Sequence, residues 1–140
     1  MLLRFGIFLL IMFGLIQIFP VNKTNPEITG EIELPGKIAM VFERSCYDCH
    51  SNETVWPWYS KVAPVSWLVV NDVKEGREYL NFSEWDKYTP EKKAEMIEEI
   101  WEEVEEGEMP SWYYVPLHPE AKLSAGDKAA IKEWTESYVQ

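Results

Sequence analysis

The sequence predicts an all-α fold in which one helical domain follows a separate N-terminal helix. Residues 37–46, 90–106 and 124–139 each repeat apolar side chains at the spacing of one helix face. A further helix is predicted to start after Pro64 and to run over residues 65–80. With its N-terminal segment set aside, the 140-residue chain is long enough for one compact domain and too short for two.

The helix predicted over residues 90–106 has the clearest ends. Thr89 suits the N-cap position, Pro90 suits the first helical position, and Gly107 suits the stop after the last turn. One face of this helix is apolar and the other is almost entirely glutamate. The last predicted helix begins at Ser124 and Asp127, which resemble a capping box.

The residues Cys46-Tyr47-Asp48-Cys49-His50 carry the clearest chemical signal in the chain. They read C-x-x-C-H, which is the pattern for covalent attachment of c-type haem. Two thiols one helical turn apart can each add across a vinyl group on the same edge of the porphyrin, and the histidine that follows supplies an axial nitrogen. The sequence therefore predicts one haem c (iron) per chain, held by two thioethers, with His50 as the proximal ligand.

Other uses of these cysteines are weaker. Cys46 and Cys49 could close a disulfide or act as a thioredoxin-like redox pair, but the redox pair needs a βαβ context that the sequence lacks. Structural zinc needs four ligands, and besides Cys46, Cys49 and His50 the one other histidine, His118, lies far downstream in the sequence.

The second axial ligand is predicted in the aromatic, proline-rich loop of residues 107–119. Met109 is the leading candidate, because a thioether in a tight loop before Pro110 suits a low-spin iron. His118 is the rival, since two histidines ligate haem equally well, and an open site is the third option. Arg77, Lys74 and Trp67 could each hold a haem propionate, although ordinary surface or core roles suit each of them better.

Residues 1–20 are predicted to be an export signal. Arg4 precedes an unbroken apolar run over residues 5–16, and no acidic residue appears before Glu27. No Ala-x-Ala site follows, so an uncleaved signal anchor in the cytoplasmic membrane is favoured over a cleaved signal peptide. Either kind of segment, anchor or cleaved signal peptide, places the domain in the periplasm or another extracytoplasmic space. Residues 21–36 are predicted to form a tether or extended arm, and residues 37–140 the haem-binding domain.

The formal net charge of -11 limits the partners. An acidic chain without a basic stripe is a poor candidate for nucleic acid, because it cannot displace counterions from phosphates. It favours a redox partner protein with a basic docking patch, for which the glutamate face of residues 90–106 is a candidate contact. A solvated face that keeps the protein soluble explains the same residues.

The order of these segments resembles a class I cytochrome c, and several motifs are similar to those of a family of bacterial haem-binding domains. These motifs are residues 46–54, 58–60, 63–67, 81–85, 107–110 (Gly107-Glu108-Met109-Pro110) and 118–124 (His118 to Ser124). The resemblance extends from about residue 37 to the end of the chain. It implies a mostly helical, cytochrome c-like fold around one haem, with Cys46, Cys49 and His50 as haem residues. It does not choose between Met109 and His118, and it implies no particular reaction.

The predicted function is one-electron transfer by a membrane-tethered monohaem domain, an electron carrier rather than an enzyme, with no catalytic residues. With both axial positions filled by protein, no substrate reaches the iron. Two alternatives stay open. A peroxidase or small-ligand sensor would have an exchangeable distal position, with His118 as an acid/base group. An accessory module would tether itself to a larger redox complex.

Overall fold

The computed structural model describes residues 1–138, and within that range it contains six α-helices and no strand. The helices are α1 (Leu2–Ile16), α2 (Gly36–Ser45), α3 (Tyr47–His50), α4 (Val65–Tyr79), α5 (Pro90–Glu106) and α6 (Ala125–Tyr138). Short 3-10 turns lie at Trp58–Lys61, Trp85–Lys87 and Pro119–Ala121. The prediction of an all-α fold is confirmed for the described residues. Val139, which the last predicted helix included, and Gln140 lie outside them.

Both ends of α5 and the start of α6 are those that the sequence predicts. The Thr89 side chain accepts a hydrogen bond from the Lys92 backbone N–H at 3.3 Å, and Gly107 ends α5 in the left-handed conformation with φ 82°. At the start of α6, the Asp127 backbone N–H donates to the Ser124 hydroxyl at 3.1 Å, and the Asp127 carboxylate accepts from the Ser124 backbone N–H at 2.8 Å. This reciprocal pair is a capping box.

The core lies where α2, α5 and α6 meet. Phe42 of α2 is fully buried at its centre, with its ring 5.3 Å from the rings of both Phe82 and Trp134. Ile97 of α5 and Ile131 of α6 are also fully buried. Each such side chain contributes about 1.5–3 kcal/mol to folding. Because α2 runs directly into Cys46, this core fixes the start of the haem motif.

The N-terminal helix is shorter than predicted. The sequence favours an apolar helix over residues 2–19, but α1 ends at Ile16, since Pro20 disfavours helical backbone just before it. Among residues 1–138, no helix is both long and apolar enough to cross a membrane. The predicted transmembrane anchor is therefore not supported by the structure.

Residues 21–35 lie extended along the domain, and the last residue of the predicted arm, Gly36, already begins α2. The Thr29 and Gly30 backbone N–H groups both donate to the Ser83 carbonyl, and the Ile32 N–H donates to the Phe82 carbonyl at 3.1 Å. Ile32 is buried in the core. A side chain at Gly30 would place its Cβ 2.5 Å from Cγ of Asp86. We call residues 21–36 the arm, and these contacts join it to the loop after α4.

Helix α4 buries a different face from the one that its apolar residues suggest. The sequence indicates Trp67, Leu68, Val70 and Val73 as the apolar face, but only Val73 of these is buried, together with Ser66. Leu68 is 65 % exposed. Helix α4 packs mainly on α3 and on the 3-10 turn at Trp58–Lys61, so its position is set by the haem motif rather than by the core.

Candidate functional site

One turn of helix carries the C-x-x-C-H motif. The Cys46 backbone N–H ends α2 by donating to the Phe42 carbonyl at 2.8 Å. The Cys46 carbonyl then accepts from the N–H groups of both Cys49 and His50, at 3.2 and 2.9 Å. Residues three apart on such a turn share a face, so the two cysteines lie on the same side of α3. Both are free thiols.

The two thiols are held in their protonated form. Burial is the main cause that raises the pKa of Cys46 to about 12, and the nearby Cys49 adds to it. Burial likewise raises the pKa of Cys49 to about 12, with a further contribution from the charge of Asp48. Redox-active and metal-binding cysteines need a lowered pKa, because the thiolate is the reactive species. The environment therefore argues against a thioredoxin-like pair. Among residues 1–138, no group of three or more His, Cys, Asp or Glu side chains is placed to hold a metal ion such as zinc.

His50 is oriented by backbone carbonyl groups of α4 and the residue after it. Its Nδ1 lies 3.0 Å from the Gly76 carbonyl oxygen and 3.1 Å from that of Leu80. A carbonyl can only accept, so Nδ1 carries the hydrogen and Nε2 is left with a free lone pair. Burial lowers the pKa of His50, which favours the neutral ring. A neutral imidazole whose Nδ1–H donates to a carbonyl is the usual arrangement of a metal-ligating histidine.

Gly76 allows α4 to lie directly against the haem motif. A Cβ atom at this position would stand 2.7 Å from the Cys49 carbonyl oxygen and 3.1 Å from the Cys49 Cβ. These neighbours belong to the motif itself, so they cannot move without displacing Cys49. The sequence indicates that glycine weakens the second half of α4, yet the helix continues through it to Tyr79.

Met109 lies in the turn that follows α5. Its backbone N–H donates to the Glu103 carbonyl at 3.1 Å, and the Glu108 N–H shares the same acceptor at 3.0 Å. The Met109 side chain is 39 % exposed, and its Sδ has one polar neighbour, the Ser111 hydroxyl at 4.0 Å. The backbone is therefore fixed while the thioether stays available as a ligand.

His118 has both ring nitrogens engaged. Nε2 lies 2.6 Å from the Tyr59 hydroxyl, and Nδ1 lies 3.2 Å from a carboxylate oxygen of Glu120. The imidazole ring also stacks on Tyr114, with centroids 4.1 Å apart and planes 6° apart. An imidazole with both nitrogens in hydrogen bonds has no free lone pair for iron, so His118 would have to break a contact before it could ligate.

The haem motif holds the loop of residues 107–119 through Asp48. One oxygen of its carboxylate accepts a hydrogen bond from the Tyr114 hydroxyl at 2.7 Å, and the other accepts from the Val55 N–H at 2.8 Å. Burial and the Asp48 charge raise the pKa of Tyr114, so its hydroxyl remains a donor. We call Asp48, Tyr59, Tyr114 and His118 the clasp. It joins the variable position of C-x-x-C-H to the loop that contains Met109.

Sequence reasoning did not find the clasp. The sequence pattern indicates no link between Asp48, Tyr59 and Tyr114. A carboxylate inside the motif and a tyrosine 66 positions later have no periodic relation that a sequence pattern could reveal.

Replacing Tyr114 by phenylalanine should loosen the loop without emptying the core. The change removes one hydrogen bond to a carboxylate, worth about 1.5–3 kcal/mol, and leaves the Asp48 oxygen without this donor. The free energy of unfolding measured by urea denaturation should fall by that amount. Tyr79→Phe is the control, because the Tyr79 ring at the end of α4 is 78 % exposed. An equal decrease in the free energy of unfolding in both variants would contradict the stabilising role of the clasp.

A haem group fits this donor set. The indole Nε1 of Trp56, on the loop after α3, is buried and has no hydrogen-bond partner within residues 1–138. A buried N–H of this kind is costly unless a further acceptor satisfies it, and a propionate oxygen would do so.

The sequence indicates three residues for propionate binding. In the structure two of them have other hydrogen-bond or ion-pair partners, and the third is exposed. Arg77 donates to the Ser51 and Thr24 carbonyls and to the Thr54 hydroxyl, at 2.7–2.8 Å. Lys74 pairs with Glu78 at 3.7 Å. Trp67 is 39 % exposed. Arg77 therefore serves to join the arm to the loop after the haem motif.

Comparison with known proteins gives one match. A family model described as "haem-binding domain" matches residues 11–137, which is most of the chain. Neither curated proteins nor solved structures gave a match. The family match agrees with the free thiols, the oriented histidine and the unpartnered indole described above. The chain belongs to the haem-binding domain family.

Proposed function

We propose that this protein is an exported monohaem c-type domain that carries single electrons. The observation that carries the proposal is the arrangement at α3, where one free thiol stands at the N-cap, a second lies three residues later within the helix, and the Nδ1 of His50 lies within hydrogen-bonding distance of two carbonyl oxygens. A histidine with Nδ1 so engaged presents Nε2 for axial ligation. Covalent attachment follows from the free thiols beside it.

The cysteines are suited to thioether formation. The raised pKa values keep Cys46 and Cys49 as thiols at neutral pH. Each S–H would add across one vinyl C=C bond of a bound haem, so that sulfur would join one vinyl carbon and the thiol hydrogen the other, with no atom or electron lost. Bound haem supplies one-electron chemistry at its iron. The protein then has to fix the axial ligands and exclude solvent.

We assign Met109 as the distal ligand. Its backbone is anchored at the end of α5, its sulfur is available, and the nitrogens of the rival His118 both have hydrogen-bond partners, Tyr59 and Glu120. With protein ligands on both sides, the iron has no position for a substrate. This favours electron transfer over a peroxidase or sensor.

The charge order of residues 1–20 supports export to the outer side of the cytoplasmic membrane. The mostly exposed glutamates of α5 support docking by a redox partner with a basic patch. Such a contact would change the association rate more than the affinity, and it would weaken as salt is added.

The visible spectrum of the ferric protein tests the ligand assignment. Wild-type protein should show a low-spin spectrum with the weak far-red band of a sulfur–iron bond, and Met109→Ala should lose that band. Met40→Ala, at a methionine on α2 that is 63 % exposed, is the control and should keep it.

Two outcomes would contradict the assignment. A low-spin spectrum that lacks the far-red band and is unchanged in Met109→Ala would point to His118. A high-spin wild-type spectrum that shifts on adding cyanide would replace the carrier with a ligand-binding haem protein.

A further inference from the structure

A small cavity lies where α1 joins the domain. Its volume is about 170 Å³, room for several water molecules at ~30 Å³ each. It is lined by Gln17, Phe19, Pro20, Val21, Lys23, Lys61, Ala63 and Ser66. We call it the junction cavity, and nothing in the haem site uses it.

The junction is held in a defined geometry. The Gln17 side chain donates to the Ala63 carbonyl at 3.0 Å and accepts from the Ala63 N–H at 2.9 Å. The paired bonds fasten the end of α1 to the domain. On the other side of the cavity, the Lys23 ammonium donates to the Ser60 carbonyl at 3.0 Å. An ammonium has three N–H donors, so two remain for a ligand.

The charge of the cavity is opposite to that of the protein. The chain has 24 acidic residues against 13 lysines and arginines, yet no acidic residue among those that the structure describes lines the cavity. Neither Lys23 nor Lys61 forms an ion pair within residues 1–138. Two lysines without carboxylate partners in an otherwise acidic protein indicate an anionic ligand.

The neighbouring helix indicates that this anion has an apolar part. None of the side chains of α1 is buried in the protein, and Leu10 and Phe8 are 72 % and 57 % exposed. Phe19, 67 % exposed, continues this apolar surface to the rim of the cavity. A ligand with a phosphate group and hydrocarbon chains matches both surfaces, since lysines at a membrane surface attract anionic headgroups.

We propose that the junction cavity binds the headgroup of an anionic phospholipid. The phosphate oxygens lie against the Lys23 and Lys61 ammonium groups, and the acyl chains lie beside α1. The site is independent of the haem, and it sets the height of the domain above the lipid surface.

Vesicle binding by the full-length, haem-loaded protein tests the site. Haem absorbance in sedimented vesicles reports the bound fraction. The vesicles consist of phosphatidylcholine alone or of phosphatidylcholine mixed with phosphatidylglycerol.

Each lysine near the surface should contribute about fivefold to the preference for anionic vesicles, and the pair roughly 30-fold at low salt. Lys23→Gln/Lys61→Gln should lose this preference and keep the binding to neutral vesicles that α1 provides. Lys23→Arg/Lys61→Arg should retain the preference.

Three controls separate the cavity from general charge effects. Lys37→Gln/Lys122→Gln removes the same charge at two exposed lysines and should keep most of the preference. Val21→Trp fills the cavity without a change in charge and should reduce the preference. Inorganic phosphate at millimolar concentration should not compete.

Several results would overturn the proposal. The first is an equal loss of the preference for anionic vesicles in both double lysine variants. The second is an unchanged preference in Val21→Trp. The third is competition by free phosphate, because it would indicate that the cavity binds a soluble anion. Removal of residues 1–20 from the membrane-extracted protein, seen by intact mass, would overturn it as well. None of these results bears on the haem assignment, which rests on spectra.

Discussion

Removing both thiols of the motif, in Cys46→Ala/Cys49→Ala, should leave a protein without covalently attached haem. The two cysteines are the only ones in the chain, so no other thiol can form a thioether. Protein produced in a host that attaches c-type haem should lose its haem stain on denaturing gels, and its intact mass should equal that of the polypeptide alone. His50 remains, so weak non-covalent binding can persist.

Single variants and a neighbouring control sharpen this test. Cys46→Ala and Cys49→Ala should each retain one thioether at reduced yield, with one vinyl group left intact. Ser45→Ala is the matched control, because Ser45 is buried beside the motif and its hydroxyl has no partner within residues 1–138. It should retain full attachment. Covalent haem in the double variant, or its loss in Ser45→Ala, would contradict the assignment of the thiols.

The second large effect is expected at Gly76. Alanine normally stabilises a helix relative to glycine by about 0.5–1 kcal/mol, but here its Cβ would meet the Cys49 carbonyl oxygen at 2.7 Å. Overpacking of this kind costs about 1–3 kcal/mol. Gly76→Ala should therefore lower the free energy of unfolding, measured by urea denaturation of the haem-loaded protein. Because the Gly76 carbonyl orients His50, the spectrum of the iron should change as well.

Gly126→Ala is the control for the glycine effect. Gly126 also lies inside a helix, but a Cβ there would come no closer than 3.8 Å to the Ser124 hydroxyl oxygen. This variant should be stabilised by about 0.5–1 kcal/mol with an unchanged spectrum. If Gly76→Ala behaves in the same way, α4 does not pack against the motif as described.

The parts of the fold that could be predicted from the sequence are those with local causes. Helix α5 runs from Pro90 to Glu106 as predicted, because its cap, its periodicity and its stop all lie within the segment. The capping box of α6 is equally local. The spacing in C-x-x-C-H likewise predicts one helical turn, and α3 is that turn.

The remaining features depend on contacts between distant residues. Asp48 meets Tyr114, and Arg77 meets Thr24, only because the folded chain brings them together. The sequence marks Arg77 as a cation but cannot show that carbonyl oxygens already satisfy it. The face of α4 was predicted from apolar residues, yet contact with α3 favours Ser66 and Gly76 on the packed side, where small size matters more than hydropathy.

The arm limits how far the haem-binding domain can move relative to α1. A free linker of 16 residues would let a domain explore a radius of roughly 22 Å. Instead, the arm is bonded to Ser83 and Phe82, and Arg77 and Asn52 hold it beside the haem motif. For the proposed electron carrier, this means that the domain would not swing out to reach a donor or acceptor. Each partner would have to diffuse to it, and encounter rates should respond to the partner's mobility rather than to the length of residues 21–36.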